Sequence, residues 1–272
     1  MKPDRYTIRP LADYAEMKRA VEFQRVIWGS NFTELVPAVV LWAAARTGGI
    51  VAGAFDAANE MAGLIFGMTG WDGSRPIHWS DMLGVHPAAR GRGLGFELKR
   101  YQRDRLLENG VTIVNWTFDP LEARNAHLNF ARLGATAREY IRDCYGVSTS
   151  PLHRGIGTDR LVAEWALDSD RVRRRMEGDT AAASASDTDA NAPVINPEDG
   201  SVRLDLKDPR LWLRIPPDIQ ELKERDAVAA RRWRDQTRRA FGTYFGRGYE
   251  ARELVTGEGG SRYLLSLGKG EP

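Results

Sequence analysis

Apolar and polar positions along the first 170 residues predict strands and helices in regular succession. Apolar runs at Ile50–Phe55 and Ala62–Thr69, with a polar turn between them, predict a hairpin. Ile77–Val85 and Val111–Phe118 have the pattern of further strands, and the periodicity of Leu94–Asn109 places a helix between them. Strands and helices in this order predict an α/β domain with a mixed sheet.

The remaining elements of this part are shorter. They are a strand at Tyr6–Arg9, helices at Leu11–Trp28, Val36–Ala45 and about Glu122–Leu133, and strands near Thr136–Tyr140 and Arg160–Leu167. We therefore expect residues 1–170 to form one domain.

The composition changes after this domain. Residues 177–201 include the run TAAASASDTDANAPV, which is almost free of large apolar side chains and predicts a flexible linker or loop. Residues 202–272 again have the pattern of ordered structure and predict a smaller α/β extension that packs on the first domain. Its expected elements are a strand at Arg210–Ile215, one long helix from an N-cap at Asp218 to about Phe245, and strands near Tyr249–Val255 and Arg262–Leu267.

This extension repeats a short pattern from the end of the first domain. Phe130–Ile141 aligns without gaps on Tyr244–Val255, and each segment is a helix end, a glycine and a strand that carries Ala-Arg-Glu. The segments are either copies of one duplicated unit or two amphipathic units that look alike.

Charge and hydropathy exclude several partners. With 39 basic and 37 acidic residues the net charge is +2, so no global field attracts the chain to nucleic acid or anionic lipid. The basic runs Arg171–Arg175 and Arg231–Arg234 are typical of solvated helix faces, so we expect no nucleic-acid partner. No apolar run approaches the roughly 20 residues that span a bilayer, and we expect no membrane contact.

Cysteine and histidine usage also narrows the class of protein. Cys144 is the only cysteine, so no intrachain disulfide can form, and a reducing cytoplasm is the expected location. The N-terminal residues lack the apolar core of a signal peptide. The four histidines show no metal-ligand spacing, so we expect no metal site.

One segment carries recognisable chemistry: the loop Arg90-Gly-Arg-Gly-Leu-Gly95, between the Ile77–Val85 strand and the helix that follows. Its glycines allow a tight turn and close approach to a ligand, and the helix start offers free N–H groups at the positive end of a dipole. Arg90 and Arg92 add charge-assisted bonds. The segment therefore predicts a phosphate site, although it fits neither the Walker loop nor the dinucleotide fingerprint, because Phe96-Glu97 follows Gly95.

The pattern that fits is Arg-x-x-Gly-x-Gly, which resembles the acetyl-CoA loop of the GNAT superfamily of acyl-CoA N-acyltransferases. The apolar Leu83–Val85 upstream and the segment Asn125–Ala135, which is similar to a family helix end, extend the resemblance to about residues 5–167. It implies a GNAT fold with a mixed, splayed central sheet, in which acyl-CoA is the cosubstrate and its pantetheine arm lies between two strands. The residues that it assigns to CoA are Leu83, Gly84, Val85, Arg90, Gly91, Arg92, Gly93, Leu94, Gly95 and Asn125.

Four further motifs, together with the C-terminal tail, resemble a GNAT subgroup that is associated with N-acylamino acid racemases. They are WTFDPL at Trp116–Leu121, RNAHLN at Arg124–Asn129, LGA at Leu133–Ala135 and TDRLVAEW at Thr158–Trp165. This resemblance implies transfer of an acetyl or succinyl group to the amine of a small acceptor, in particular an amino acid. The sequence leaves open a homodimer.

The reaction needs a general base, because the acceptor amine must be neutral to attack the thioester. The candidates are Asp81 and His78, on the strand before the loop, and Asp119, at the end of the Val111–Phe118 strand. Each could equally be a structural polar group, and spacing alone does not choose among them.

One position departs from the family pattern. Many GNAT enzymes have a tyrosine four residues before the helix-ending glycine, where it protonates the departing thiolate, but here that residue is Phe130. Either Tyr140 or Tyr145 substitutes, or the thiolate leaves unaided, or the domain is a non-catalytic module that binds and senses acyl-CoA. A third class, a protein lysine acetyltransferase, is also compatible with the sequence.

Overall fold

The computed structural model describes residues 6–30, 32–146, 155–178, 191–257 and 260–268. These residues contain ten strands and seven α-helices. The helices are α1 (Tyr14–Trp28), α2 (Ala38–Arg46), α3 (Leu94–Glu108), α4 (Ala123–Ala126), α5 (Asp170–Met176), α6 (Ile219–Arg225) and α7 (Ala227–Phe245). The strands are β1 (Thr7–Pro10), β2 (Ile50–Phe55), β3 (Met61–Trp71), β4 (Pro76–Val85), β5 (Ile113–Phe118), β6 (Thr136–Ile141), β7 (Arg160–Ala166), β8 (Arg210–Ile215), β9 (Tyr249–Gly257) and β10 (Gly260–Leu267).

The chain divides into two compact units whose boundary falls within β5. Unit 1 is Met1–Trp116 with Ala166–Asp168, and unit 2 is Thr117–Trp165 with Ser169–Pro272. This division differs from the expected boundary at residue 170, because residues 117–165 share a unit with the C-terminal extension.

The sheet of unit 1 has the strand order β1-β2-β3-β4-β5, with antiparallel neighbours up to β4 and a parallel β4–β5 pair. Apolar residues of α1 and α2 pack with Leu64 and Phe66 of β3 on one face. The intervening positions of β3 face α3: a Cβ added to Gly63 would lie 2.8 Å from the Leu98 side chain.

A β-bulge interrupts β4 at Asp81. Phe66 pairs with Met82 and the next residue, Gly67, pairs with Ser80, so Asp81 is the extra residue. An extra residue reverses the alternation of side chains beyond it. Accordingly, His78 and Ser80 contact side chains of α3, whereas Met82 packs in the core formed with α1 and α2.

The parallel strands β4 and β5 diverge next to this bulge. Within the described residues they pair only at His78↔Val114 and Trp79↔Asn115. The splayed strands implied by the family resemblance are therefore present in unit 1, and the fork between them opens at Ser80.

The sheet of unit 2 has the order β7-β6-β9-β10-β8, and its neighbouring strands are antiparallel. The expected helix at about Glu122–Leu133 is α4 continued by a π-helical turn at His127–Arg132. The expected single helix from Asp218 to Phe245 is divided into α6 and α7 at Asp226. The Asp226 side chain accepts hydrogen bonds from the N–H groups of Val228 and Ala229, and so caps the second helix.

The repeated sequence pattern has a geometric counterpart in unit 2. Ala137 of β6 pairs with Ala251 of β9, and these residues are equivalent in the gapless alignment. Each is followed by a bulged arginine: Arg138 in the pairing of β6 with β7, and Arg252 in the pairing of β9 with β10. The glycine before each strand is left-handed, with φ of 76° at Gly134 and 85° at Gly248.

The expected linker at 177–201 is partly ordered. Residues 179–190 lie outside the described part of the chain. After them, the N–H of Ile195 donates to Trp212 O at 2.8 Å, and Asn196 exchanges two hydrogen bonds with the Arg214 backbone of β8. This half of the segment lines the edge of β8, so it is not a free linker.

Gly67 makes room for His78, because a Cβ at Gly67 would lie 2.2 Å from His78 Nε2 and 2.5 Å from Trp79 O. We expect Gly67→Ala to lower the free energy of unfolding by about 1–3 kcal/mol. Gly70→Ala is the matched control on the same strand, because no atom lies within 4 Å of its added Cβ. Chemical denaturation of both variants measures the difference, and equal stability of the two would contradict the described packing of His78.

Candidate active site

The loop after β4 begins with a 3₁₀ turn at Pro87–Ala89 and continues into α3. Gly91 and Gly93 have φ values of 73° and 81°, in the left-handed region that favours glycine. No heavy atom lies within 4 Å of a Cβ added at either glycine. The loop therefore needs glycine for its backbone conformation and leaves open space beside the start of α3.

The start of α3 is built to bind an anion. The N–H groups of Phe96 and Glu97 both donate to Gly93 O, at 3.0 and 3.1 Å. The N–H groups of Leu94 and Gly95 come before this first turn and have no acceptor within the helix. They point outward at the positive end of the dipole, where phosphate binds well.

Two exposed arginines flank this helix start. Arg90 Nε donates to Val85 O at 3.2 Å, which holds its guanidinium beside the end of β4. Arg92 is exposed in the loop itself. Both can therefore bind a diphosphate without losing a partner in the core.

Between this loop and the fork, β4 offers an unpaired strand edge. Leu83, Gly84 and Val85 pair with β3 on one side, and on the other side β5 has already diverged. Backbone groups on such an edge can pair with an extended amide-bearing ligand. Asn125, which sequence reasoning grouped with these residues, is exposed on α4 in unit 2.

Asp81 is the candidate base that lies at the fork. It occupies the bulge and is exposed. Surrounding protein atoms still desolvate its carboxyl in part, which raises its pKa above the usual value. A carboxylate with a raised pKa is a better proton acceptor, so the location and the chemistry of Asp81 both suit a general base.

His78 is committed to a structural network. It is fully buried on the α3 face, with Nδ1 at 3.0 Å from Thr69 Oγ1 and Nε2 at 3.1 Å from Gln102 Nε2. Burial, and secondarily the charge of Lys99, lowers its pKa to about 3. His78 is therefore neutral and bonded at both ring nitrogens, which argues against its role as a base in the cleft.

Sequence reasoning missed Lys99 and its partners. Lys99 is 2% exposed, and Nζ donates to Ser80 Oγ at 2.8 Å and Gln102 Oε1 at 3.1 Å. It also lies 3.8 Å from the ring centroid of Trp116 on β5. The helical periodicity of α3 could have indicated them, because Lys99 and Gln102 occupy positions next to Leu98 on the face of α3 that packs on the sheet.

Asp119, the third candidate base, belongs to a buried ion pair in unit 2. Its Oδ2 accepts from Arg234 Nη2 at 2.5 Å and lies 3.9 Å from Arg160 Nη1. Its Oδ1 accepts from Leu121 N at 2.9 Å. With both oxygens engaged and 6% of the residue exposed, Asp119 has the environment of a structural carboxylate.

The aromatic residues considered as proton donors lie in unit 2. Phe130 is fully buried and packs edge-to-face on Phe118 and Tyr263. Tyr140 donates to Asp159, and burial raises its pKa, so its proton is held firmly. Tyr145 is 46% exposed, and its hydroxyl lies 2.7 Å from Thr117 Oγ1. Tyr145 is thus the more accessible of the two tyrosines.

A cavity of about 1120 Å³ opens in unit 1 between α1, the β2–β3 turn and the loop residues His86, Ala88, Ala89 and Arg92. No residue of β5 lines it, so it is distinct from the fork. Across the described ranges, no group of three or more His, Cys, Asp or Glu side chains could hold a metal ion. None of the described helices has the length and apolarity that a membrane span requires.

Comparison with known proteins agrees with this geometry. Residues 17–135 match the family model described as acetyltransferase (GNAT) family. The matched segment includes β4, its bulge, the glycine-rich loop and α3, and its mixed α/β fold is the fold of that family. The class of protein to which this match points is an acyl-CoA N-acyltransferase. No curated protein sequence matches the chain.

Several solved structures are similar over about three fifths of the chain. The yncA protein of Salmonella typhimurium, solved with acetyl-CoA, is 22% identical over 61% of this chain and 95% of its own, with a TM-score of 0.46. The ribosomal-protein-S18-alanine N-acetyltransferase of Escherichia coli is 15% identical over 60% and 95%, with a TM-score of 0.48. A GNAT family acetyltransferase of Elizabethkingia anophelis, with acetyl-CoA bound, is 12% identical over 60% and 99%, with a TM-score of 0.45. Because none of these TM-scores reaches 0.5, we rest the class on the family match and the loop.

The phosphate site can be tested at Arg90 or at Gly93. A valine at Gly93 would block the ligand but would also strain the left-handed backbone at the start of α3, so Arg90 is the better position. We expect Arg90→Ala to weaken CoA binding by about 1–3 kcal/mol, the loss of a hydrogen bond to a charged group. Calorimetric titration measures this, with Arg105→Ala as the control, because Arg105 pairs with Glu108 at the far end of the same helix. Equal CoA affinity in the two variants would remove Arg90 from the site.

Proposed function

We propose that the protein transfers an acyl group from CoA to the amine of a small acceptor, with Asp81 as the general base. The observation that carries the proposal is the shape of the β4 edge. It begins at a bulge with an exposed carboxylate, runs as an unpaired strand edge, and ends at a helix start flanked by arginines. Such an edge can hold the extended pantetheine arm between the diphosphate and the thioester.

The residues have separate roles in this mechanism. The start of α3, with Arg90 and Arg92, binds the diphosphate. Backbone N–H groups near Leu83 and Val85 bind the arm and polarise the thioester carbonyl. Asp81 takes a proton from the acceptor amine, directly or through water, as the amine nitrogen bonds to the acyl carbon. The C–S bond then breaks, and its electron pair leaves with the CoA sulfur.

An amino acid is the acceptor that we favour, and the acyl group is acetyl or succinyl. The subgroup resemblance of the Trp116–Leu121 and Thr158–Trp165 motifs supports this choice. An amino-acid carboxylate needs a cation at the acceptor site, and the guanidinium of an arginine is well suited to bind it. In this proposal the enzyme works in the cytoplasm.

A thiol-release assay tests the function. Acetyl-CoA and succinyl-CoA are each offered with free amino acids, the same amino acids as carboxamides, and lysine-containing peptides. We expect turnover with free amino acids and a loss of at least about tenfold in kcat/KM for the carboxamides, because the charge that an arginine would bind is absent. Transfer to peptide lysines alone would indicate a protein lysine acetyltransferase. CoA binding without turnover on any acceptor would favour a sensing module.

Asp81→Asn keeps the shape of the side chain and removes its charge. We expect kcat/KM to fall by roughly 10²–10⁴, the usual contribution of a positioned base. CoA affinity should be unchanged, because the diphosphate site lies at the other end of β4. In the wild type, activity should decline as the pH falls through the raised pKa of Asp81, since only the carboxylate can accept a proton.

Glu97→Gln is the control for this variant, since it removes an exposed carboxylate that pairs with Arg100 on α3. Wild-type turnover of Asp81→Asn between pH 6 and 9 would show that Asp81 is not the base.

A further inference from the structure

Five side chains form a hydrogen-bonded chain on the α3 face of β4, and all of them are buried except the half-buried Thr69. Lys99 donates to Gln102 Oε1, and Gln102 Nε2 lies 3.1 Å from His78 Nε2. His78 Nδ1 lies 3.0 Å from Thr69 Oγ1, whose hydroxyl donates to Gly48 O at 2.6 Å. Ser80 is joined to this chain through Lys99.

The bonds of this chain run in one direction. Because the Thr69 hydroxyl donates to Gly48 O, its oxygen must accept from His78 Nδ1–H. His78 Nε2 then carries no proton and accepts from the Gln102 amide, whose carbonyl oxygen accepts from Lys99. The chain therefore fixes a neutral histidine and presents Lys99 with the acceptor oxygens of Gln102 and Ser80.

Ser80 is the end of this chain that lies at the fork. Its Oγ accepts from Lys99 at 2.8 Å. No hydrogen bond among the described residues uses the hydroxyl proton of Ser80, which leaves that proton able to donate. Trp79 is the last residue of β4 that pairs with β5, so Ser80 is the first residue beside the opening.

The position of Ser80 relative to the phosphate site matches the two ends of the cosubstrate. Val85 lies five positions after Ser80, and a strand rises about 3.3 Å per residue, so the two lie roughly 16 Å apart. An arm that starts at α3 and follows the β4 edge therefore brings its sulfur towards Ser80 and Asp81. These two residues would contact opposite ends of the reacting group, the leaving sulfur and the attacking amine.

We propose that Ser80 and Lys99 are the acid that protonates the departing CoA thiolate, in place of the tyrosine that Phe130 replaces. This proposal rests on the acyl transfer proposed above. As the C–S bond breaks and its electron pair moves to sulfur, the Ser80 hydroxyl proton passes to sulfur and a Lys99 ammonium proton passes to Ser80 Oγ. Lys99 becomes a neutral amine. Asp81 passes the proton of the acceptor amine to solvent, and Lys99 regains a proton from solvent, so the protons balance.

The surroundings of Lys99 make this transfer feasible. The neighbouring strands β2, β3 and β5 contain no titratable side chain, and His78 of β4 contacts Gln102 on the same face as Lys99. Asp81 of β4 is exposed at the bulge, and neighbouring Arg100 and Arg103 of α3 pair with Glu97 and Asp104. Burial lowers the pKa of Lys99 to about 7, so near neutral pH it can both donate and regain a proton.

The direct test measures the ionisation of the CoA thiol in the complex with free CoA, by the ultraviolet absorbance of the thiolate during a pH titration. A buried cation acting through Ser80 lowers the pKa of a bound thiol. We expect the pKa of the bound thiol to be at least about one pH unit lower in the wild type than in Lys99→Met or Ser80→Ala. Arg105→Met, which removes a surface charge from the same helix, should behave like the wild type.

Kinetics give a second readout. We expect each variant to lower kcat about 10²-fold, the lower end for a positioned acid, with KM for acyl-CoA within about threefold of the wild type. Because the acid form of Lys99 is required, wild-type kcat should fall as the pH rises through about 7, and this limb should be absent in Lys99→Met. The double variant should lose no more than either single variant, since both residues belong to one relay.

The outcomes separate this proposal from the function on which it rests. An equal thiol pKa in the wild type and Ser80→Ala would overturn the relay even if acyl transfer were observed. A lowered thiol pKa in a wild type that transfers acyl groups to no acceptor would keep the relay and overturn the proposed function. Failure of CoA to bind the wild type would overturn both. Ser80→Ala removes one oxygen atom and keeps the test valid if Lys99→Met fails to fold.

Discussion

One extra residue in β4 determines the chemistry of unit 1. The bulge at Asp81 reverses which face of the sheet each side chain meets, so polar residues before it contact α3 and apolar residues after it contact α1 and α2. It also coincides with the point where β4 and β5 diverge. A regular strand would have kept Asp81 in a continuous ladder with β3. The candidate base lies in this irregularity, the candidate acid lies next to it, and the unpaired strand edge follows it.

Burial of Lys99 beneath the bulge has a free-energy cost that the surrounding core must offset. A lysine is almost never fully buried unless its ammonium is paired. Its contacts with a hydroxyl, an amide oxygen and an aromatic face each stabilise the cation less than a carboxylate would. The ammonium is therefore less stable than on the surface, which favours proton release. Phe130 differs from Lys99 in this respect: it packs in unit 2 and has no proton to donate.

The sequence pattern predicted those parts of the site whose conformation depends on residues close together in the chain. The glycine-rich loop was identifiable because its conformation depends on residues next to each other, and the left-handed Gly91 and Gly93 agree with it. The bulge was not identifiable, because one inserted residue barely disturbs the apolar pattern of Ile77–Val85. The structural environments of His78 and Asp119 were also beyond local reasoning, since their partners Gln102 and Arg234 lie far along the chain. Likewise, the segment after residue 190 is low in large apolar side chains but is ordered through backbone bonds to β8.

The repeated pattern in unit 2 is better explained by duplication than by resemblance alone. Two amphipathic units of the same kind would share a helix, a glycine and a strand, but they would have no reason to meet at equivalent residues. Here the equivalent alanines Ala137 and Ala251 face each other, and each copy bulges at the equivalent arginine. The helices also exchange contacts, since the π-helical turn packs on β9 while α7 packs on β6. A local two-fold relation of this kind explains why the extension shares a unit with residues 117–165. The strand β9 pairs with the edge of β6, as a second copy of that strand would. The helix α7 brings Arg234 to Asp119 and Arg238 to Asp159.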